Sequence, residues 1–265
     1  MKISVMRENF IFSCLVFTCA SAHAQSTLQD VEEIVVVAHR LPIPSSEVAS
    51  SISVLTEEDI AKYGNLSIKD ILRQTPGVAS TSNGGMGATS SLRIRGEEGF
   101  RTLVVFDGLR LSDPSATQVA TPVEHILSGG IGRVEILRGP QGLNFGADAG
   151  GIIALSSQTN EEGVNASLTA QTGKFGTNQG NLNISGSNGD TDFSVFATQI
   201  DSDGFNARSD DNLLMDDDGY ENNTIHIRAS TKLTDNIQIQ AVPVSYTHLR
   251  AHETDSYLVC RLLLE

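Results

Sequence analysis

The sequence contains no tryptophan, few cysteines and few basic residues. It has 3 cysteines, and 18 lysines and arginines stand against 32 aspartates and glutamates, which gives a net charge of -14. Binding nucleic-acid phosphates requires clustered lysine and arginine, so this balance argues against a nucleic-acid partner. Cys14 and Cys19 lie in the leader described next. Cys260 is then the only cysteine left, which excludes a disulfide framework or a cysteine metal site within the chain.

The chain also lacks an apolar run long enough for a membrane-spanning helix. Its longest run, Phe10 to Ala20, has about eleven residues, whereas a spanning helix needs about twenty. Lys2 and Arg7 precede this run, and the small residues of Ala22-His23-Ala24 follow it. This pattern predicts a signal peptide over residues 1–24, cleaved before Gln25. Any membrane crossing by the mature chain must then use β-strands.

No catalytic constellation is visible in the sequence. The glycine-rich loops at residues 83–87 and 139–146 are not followed by the Gly-Lys-Ser/Thr of a phosphate-binding loop. No nucleophile and base form a recognisable set, and no zinc spacing occurs. His39, His125 and His226 show no ligand spacing, so we expect them to be solvated rather than bound to metal. We therefore expect neither an enzyme nor a resident cofactor.

The last segment, residues 244–265, differs from everything before it. It carries the remaining cysteine and the apolar run Leu262-Leu263-Leu264. Codons for Val244 to Glu253 and for Leu258 to Glu265 can be written so that they reproduce a transposase-type sequencing adapter. We therefore expect this tail to be read-through of an adapter and the native gene to continue differently after Pro243. The alternative is a genuine amphipathic C-terminus.

Short helices and strands are predicted after an extended leader at residues 25–44. Ile52 to Leu55 has the composition of a strand, and Thr56-Glu57-Glu58-Asp59 resembles a capping box that opens a helix ending near Gly64. A second helix is predicted over Ile68 to Gln74, after Ser67 and before Pro76-Gly77. The strands expected next are Ser91 to Arg95, Thr102 to Phe106, Gly132 to Arg138 and Gly151 to Ser156, with a tight turn at Asp107-Gly108.

After Gly163 the pattern changes to alternation of apolar and polar residues. Over residues 164–171 every second residue is apolar, and the same period returns near residues 182, 195, 227 and 239. Segments of about ten residues with one apolar face are typical of outer-membrane barrel strands. A soluble β-sandwich has the same alternation, so the pattern alone leaves both architectures open.

Several motifs resemble one protein family. Residues 131–141 and 144–153 resemble the most recognisable motif of the TonB-dependent receptor plug, and residues 91–96, 105–108 and 71–78 resemble further plug motifs in the family's order. The similarity extends over residues 33–242. Asn144-Phe145-Gly146 and Ala154-Leu155-Ser156-Ser157 are mild departures from the family pattern.

The resemblance implies a fold class and a domain order. It implies an α+β plug domain, a small mixed sheet with short helices, at residues 45–160. The start of a transmembrane antiparallel β-barrel follows at residues 161–243, and the intact family has about 22 strands. About 80 native residues after Gly163 provide four or five strands, so we expect the barrel to be incomplete and unable to insert alone.

The resemblance also implies functional residues. The segment Glu33, Ile34, Val35, Val36, Val37 and Ala38 is the candidate TonB box, an extended strand that would pair with the energy transducer TonB by β-augmentation. Arg93, Arg95, Glu135 and Arg138 are candidates for a latch between plug and barrel wall, with a role in holding the plug itself together as the alternative. The loop at Asn83, Gly84, Gly85 and Met86 is the candidate contact for cargo.

An acidic segment between two strand candidates is the remaining candidate site. Oxygen-rich loops suit calcium, and the start of this segment also resembles the calcium-ordered loops of the cobalamin transporter. Calcium in this segment is therefore the one exception to the expected absence of a cofactor. Its candidate ligands are Asp201, Asp203, Asp210, Asp211, Asp216, Asp217 and Asp218.

The function expected from the resemblance is energy-coupled import across the Gram-negative outer membrane. The cargo would be a scarce, bulky nutrient of the siderophore-iron or cobalamin type, and the partners would be TonB, this cargo and outer-membrane lipid. A soluble periplasmic plug-like binding module without transport activity is the alternative. A signalling receptor is disfavoured because few residues separate Gln25 from the candidate TonB box.

Overall fold

The computed structural model describes ten stretches of the chain, and all of them belong to one compact unit, Glu32–Glu265. They are residues 34–35, 43–44, 51–64, 67–114, 118–139, 150–159, 162–206, 217–234, 237–250 and 253–264. None of the helices in these stretches has the length and apolar character needed to cross a membrane.

A five-stranded mixed sheet forms the centre of an N-terminal domain, residues 51–159. Two short strands, β1 (Ile34–Val35) and β2 (Ile43–Pro44), precede it. The strands of the sheet are β3 (Ile52–Thr56), β6 (Thr102–Phe106), β7 (Leu109–Leu111), β8 (Ile131–Arg138) and β9 (Gly151–Ser157). Their order is β3-β8-β9-β6-β7, and every neighbouring pair is antiparallel except β6 with β9. The strands predicted for this region are confirmed within one residue at each end.

This sheet is buried on both faces. All five residues of β6 are buried, and alternate residues of β6 and β9 enter different hydrophobic clusters. Val104, Phe106 and Ile153 belong to the larger cluster, whereas Leu103 and Ile152 belong to the smaller one. Burial on both faces explains why β6 has a continuous apolar run instead of alternation.

Two short helices pack on the sheet. The first, α1 (Glu57–Lys62), has the predicted capping box between Thr56 and Asp59, and Gly64 follows it at φ 72. The second, α2 (Ile68–Leu72), ends two residues earlier than predicted. Ser67 does not cap it with a side-chain hydrogen bond, because the Ser67 hydroxyl donates instead to the Ile126 carbonyl at 3.4 Å.

A β-hairpin completes the N-terminal domain. It pairs β4 (Val78–Ser82) with β5 (Ser90–Ile94), and β4 was not predicted because its Ala-Ser-Thr-Ser sequence has little apolar character. The predicted tight turn at Asp107-Gly108 is confirmed. Both residues have positive φ, 45 and 81, and they join β6 to β7. Short 3-10 turns lie at Gly99–Arg101 and Val123–His125.

A second, C-terminal sheet contains six antiparallel strands in sequence order. Each strand pairs with the next one along the chain, as in the meander of an up-and-down barrel. The strands are β10 (Gly163–Thr172), β11 (Asn178–Ser187), β12 (Thr191–Ser202), β13 (Tyr220–Thr234), β14 (Ile237–Arg250) and β15 (Glu253–Leu264).

The C-terminal sheet has its polar face turned inward. Asn181, Ser194 and Asn222 are buried, while Val164 and Leu168 are 73% and 78% exposed. A soluble sandwich would bury the apolar face instead, so the structure decides the alternative that the alternation left open. The fold class is confirmed: an α+β domain is followed by the first strands of an antiparallel barrel, which does not close within the described residues.

The tail expected to come from an adapter continues this sheet. Residues 244–250 extend β14, and β15 pairs with it from Ile239–Leu264 to Arg250–Glu253. An open sheet edge offers unpaired N–H and C=O groups to any extended segment, so this pairing is independent of the segment's origin. The adapter origin stays a prediction.

Candidate functional site

A cavity of about 400 Å³ lies between the N-terminal domain and the C-terminal sheet. The domain contributes α2 and the loop between β4 and β5, and the sheet contributes residues around the β10–β11 turn together with Ile200 of β12. Its lining is mixed in polarity, with Lys69, Arg73, Gln179, Thr177 and Met86 among its side chains. The cavity can therefore hold a bulky solute that has both apolar and hydrogen-bonding groups.

The predicted cargo loop lines this cavity. Gly84, Gly85 and Met86 are lining residues, and Met86 is 41% exposed. Asn83 is not a lining residue, but its N–H donates to the Thr89 carbonyl at 3.1 Å and closes the base of the loop. The structure thus brings three of the four predicted residues to one surface.

Two aromatic rings lie against the loop, Phe205 in the segment after β12 and Tyr220 at the start of β13. A Cβ built on Gly85 would stand 3.1 Å from Cε1 of Phe205, and Gly87, at φ 68, lies directly against the Tyr220 ring. Phe205 in turn packs on Phe175, with ring centroids 5.1 Å apart. A side chain at Gly87 would meet both a steric and a conformational barrier, so glycine is required there.

The basic residues at the cavity come from α2 and its C-cap, and Glu124 of the 3-10 turn adds an acidic one. Lys69 is buried, and its Nζ donates to the Ser90 hydroxyl at 2.9 Å, while Arg73 lies 3.9 Å from Asp70. These residues were not identified from the sequence. They belong to a helix that precedes the loop by more than ten residues, and only the packing of α2 beside the hairpin brings them to the same cavity.

The domain and the sheet also meet directly at several side chains. The Phe196 ring lies on Gly129 and Gly130, and the Tyr220 hydroxyl is 3.0 Å from Nδ1 of His125. The Asn222 side chain donates to the His125 carbonyl at 3.4 Å. These contacts seat the domain against β12 and β13.

The expectation of solvated histidines is wrong for the two that the structure describes. His125 and His226 are 8% and 1% exposed, and His39 lies outside the described residues. The Phe106 and His226 rings stack with centroids 4.1 Å apart. The burial of His226 was not expected because a polar strand face is usually exposed to water. Here the polar face of β13 is turned towards the N-terminal domain.

Arg138 makes its described hydrogen bonds inside the N-terminal domain. Its Nη2 donates to the Pro76 carbonyl at 2.7 Å and to the Ser53 hydroxyl at 2.8 Å. Burial, with the nearby Arg95 guanidinium as a smaller cause, holds the pKa of Arg138 below its ordinary value. These contacts favour the alternative that Arg138 holds the domain together, and a latch role remains a proposal.

The other latch candidates have partners near them in the sequence. Buried Glu135 accepts from Nε of Arg133 at 2.6 Å, and Arg93 lies 3.6 Å from Glu98 in a half-exposed pair. Arg95 follows β5 in a left-handed conformation at φ 54. Latch roles for these three residues also remain proposals.

The candidate TonB box is described in part. Ile34–Val35 forms a short strand, β1, which pairs antiparallel with β2 (Ile43–Pro44). Glu33, Val36, Val37 and Ala38 lie outside the described residues. The segment is therefore extended where it is seen, as strand pairing with a partner requires.

The calcium candidates do not form a cluster within the described part of the chain. There, no group of three or more His, Cys, Asp or Glu side chains could hold a metal ion. Asp201 stands opposite Glu221 in the β12–β13 register, and Asp217 accepts from the Asn206 N–H at 3.1 Å. Asp203 lies against Gly176, and the Asp218 N–H donates to the Phe205 carbonyl. Asp210, Asp211 and Asp216 lie outside the described residues, so calcium stays a prediction.

Comparison with known families identifies the N-terminal domain. The model of the TonB-dependent receptor plug domain matches residues 44–153. The N-terminal domain therefore matches the plug domain of the TonB-dependent receptors. The cavity thus lies between the plug domain and the first barrel strands, and the loop at residues 83–86 is a plug loop.

Solved receptor structures share this fold. The siderophore receptor PirA from Acinetobacter baumannii matches with 22% identity and a TM-score of 0.59, over 75% of this chain and 32% of that one. The alcaligin outer-membrane receptor FauA from Bordetella pertussis matches with 20% identity and a TM-score of 0.61, over 82% and 35%. The ferripyoverdine receptor of the outer membrane of Pseudomonas aeruginosa matches with 18% identity and a TM-score of 0.61, over 82% and 27%.

These matches extend through the plug domain into the C-terminal sheet. This chain spans about a third of the length of the receptors it matches. At these identities the likeness shows the fold. The matched proteins are receptors, and this supports a non-enzymatic function at the level of the family.

Proposed function

We propose that this chain is the front part of an outer-membrane receptor that imports a ferric siderophore by TonB-dependent energy coupling. The observation that carries the proposal is the plug domain seated against the polar face of an antiparallel sheet whose apolar face points away. A polar lumen and an apolar outer band are what a membrane barrel requires. Outer-membrane lipid would then cover the face that carries Val164 and Leu168.

The cavity supports a role in cargo recognition. Its lining joins a plug loop to barrel strands, so a solute bound there would contact both parts at once. Binding energy could then favour one arrangement of plug and wall over another, which is the requirement for coupling cargo to plug movement. Gly84, Gly85 and Met86 are the cargo contacts in this proposal.

The cargo class is proposed from the matched receptors. Their names refer to a siderophore, to alcaligin and to ferripyoverdine, and these three share this fold. A cobalamin-type cargo remains the alternative, since the mixed lining of the cavity suits either class. The soluble binding module is not favoured, because the exposed apolar face of β10 would then stand in water.

The proposed energy source is the transducer TonB, acting on the segment at residues 33–38. The outer membrane holds no nucleotide or ion gradient, so the work must arrive through a protein contact. A short extended segment suits this task because backbone pairing transmits force along the strand. Ile34 and Val35 are extended in the structure.

Uptake by the complete receptor tests this proposal. The complete gene would be expressed in a host that lacks its own siderophore and cobalamin receptors, with and without TonB. We expect accumulation of at least one labelled ferric siderophore only in cells that contain TonB. Accumulation of a cobamide and of no siderophore would contradict the siderophore class and support the cobalamin-type alternative. Accumulation that does not require TonB would contradict the proposed coupling.

A further inference from the structure

A buried polar contact joins the plug sheet to β13. Asp107 lies at the tip of the β6–β7 hairpin, Ser157 ends β9, and His226 projects from the middle of β13. All three side chains are buried, and that of His226 is only 1% exposed. The contact thus links two neighbouring plug strands to one barrel strand.

Within the plug, Asp107 and Ser157 are tied together. The Ser157 N–H donates to Oδ1 of Asp107 at 2.9 Å, and the Ser157 hydroxyl donates to Oδ2 at 2.5 Å. The Asp107 N–H donates to the Leu155 carbonyl at 2.9 Å. The carboxylate is therefore fixed by the plug before any barrel strand reaches it.

His226 places both ring nitrogens against this pair. Nδ1 lies 3.3 Å from the Ser157 hydroxyl, and Nε2 lies 3.3 Å from Oδ2 of Asp107, where the angle is outside the range of a hydrogen bond. The ring also stacks on Phe106 at an interplanar angle of 8°. A second strand, β14, adds a hydrogen bond from the Gln240 side chain to the Asp107 carbonyl at 3.2 Å.

This arrangement has a cost if the plug moves away. If the plug moved away, Nδ1 of His226 would lose the Ser157 hydroxyl and would have to be hydrated or stay unsatisfied, and either outcome is unfavourable in a closed interface. The Asp107 carboxylate would lose the neighbouring imidazole but keep its two hydrogen bonds from Ser157. The contact also depends on residues far apart in sequence, so it exists only when plug and barrel are docked. The contact with His226 therefore contributes to docking.

We propose that His226, placed against Ser157 and Asp107, is a polar latch between the plug and the barrel wall. The four charged candidates taken from the sequence stay separate proposals. Separation of plug from wall then requires the loss of this contact. The latch follows from the docked structure itself, and only its part in uptake rests on the proposed function.

Labelling of a buried cysteine measures opening of this interface directly. Thr121 is buried and lines the crevice that also contains Phe106 and His226, so a Thr121→Cys substitution reports access to it. The rate of maleimide labelling would be measured on the purified complete receptor in nanodiscs, without cargo and without TonB. Because this measurement involves neither cargo nor TonB, its result tests the latch independently of the proposed transport.

Three variants in the Thr121→Cys background test whether His226 and Asp107 act through one contact. His226→Phe keeps an aromatic ring on Phe106 but loses both polar contacts, and we expect labelling to be roughly tenfold faster. Asp107→Asn is also expected to speed labelling. The double variant should be no faster than His226→Phe alone, because the two residues act through one contact. The latch would be overturned if His226→Phe did not change the labelling rate. It would also be overturned if the rate increase in the double variant equalled the product of the increases in the two single variants.

Two further variants keep the test decisive. Ser157→Ala removes the hydroxyl beside Nδ1 without touching the carboxylate, and it serves if Asp107→Asn does not fold. In the Thr121→Cys receptor, Ser157→Ala should increase the labelling rate. In the receptor that also carries His226→Phe, it should not increase the rate further. The matched control is Ser230→Ala, because Ser230 is buried on the same face of β13 and bonds to Gln238 rather than to the plug. Equal acceleration by Ser230→Ala would show general loosening and contradict the proposal.

Discussion

The ring of Phe196 on β12 lies directly on the backbone of Gly130 in the plug. A Cβ built on Gly130 would stand 2.6 Å from Cδ2 of Phe196 and 2.7 Å from its Cβ. Gly130 also has φ 73, a conformation that strains any other residue. Phe196 is one of the few apolar residues on the mainly polar inner face, and its ring packs the plug against the sheet.

Gly130→Ala is expected to destabilise docking by strain and by a clash. Gly64 provides a matched control, because its φ is 72 and no atom lies within 4 Å of a Cβ built on it. Gly64→Ala should cost about 1 kcal/mol from strain alone. Gly130→Ala should lower the free energy of unfolding by more than Gly64→Ala does, as measured by denaturant unfolding of the complete receptor. In a receptor that already carries Phe196→Ala, this difference between the two alanine variants should disappear. Equal costs for the two alanines would contradict this packing.

Arg138→Lys is expected to destabilise the plug by about 1–3 kcal/mol, because one ammonium nitrogen cannot replace the three guanidinium nitrogens that donate to Pro76, Ser51 and Ser53. Arg73→Lys is the control, since its ion pair with Asp70 is largely exposed and should contribute less than about 0.5 kcal/mol. Denaturant unfolding of both variants measures the difference. A variant that leaves plug stability intact but loosens the plug from the wall would instead support the latch role predicted from the sequence.

Much of the plug could be predicted because its signals are local. The capping box at Thr56 and the turn at Asp107-Gly108 each depend on a few neighbouring residues, and both occur as expected. The β4 strand was missed because its polar sequence takes its shape from pairing with β5. The intrinsic β-propensity of the β4 residues does not predict this strand, because its formation depends on pairing with β5.

Met86→Ala is expected to weaken cargo binding roughly tenfold, because an exposed apolar side chain in the cavity lining would lose its contact with the cargo. Tyr63→Ala is the matched control, since Tyr63 is 42% exposed but does not line the cavity. Titration of labelled cargo on the purified receptor gives both affinities. An unchanged affinity for Met86→Ala would remove this loop from the binding site.

Calcium binding by the acidic segment is expected to release or absorb measurable heat at millimolar calcium, as for other extracellular oxygen-ligand sites. Calorimetric titration of the refolded complete receptor tests this, with magnesium as the control because it demands a stricter octahedral geometry. The Asp203→Asn variant should reduce the heat. A titration without heat would remove calcium from the account.

The interface between plug and wall could not be predicted from the sequence. The latch candidates were charged residues within plug motifs, and their roles stay predictions. The structure describes other contacts, among them that of Asp107 with His226, 119 positions apart in the numbering. Alternation in β13 shows that His226 belongs to the polar face, but the sequence does not say which plug strand that face meets. Docking of two sheets fixes this pairing, and no local signal carries it.

The central claim is that force on the segment at residues 33–38 drives import, and one measurement tests it most directly. Surface binding and internal accumulation of labelled cargo would be measured in the same cells for Val36→Ala and Val36→Pro. Alanine keeps the backbone N–H, whereas proline removes it and breaks strand pairing. We expect both variants to bind cargo normally, Val36→Ala to accumulate it, and Val36→Pro to accumulate none. Normal accumulation by Val36→Pro would contradict the assignment of this segment as the coupling strand.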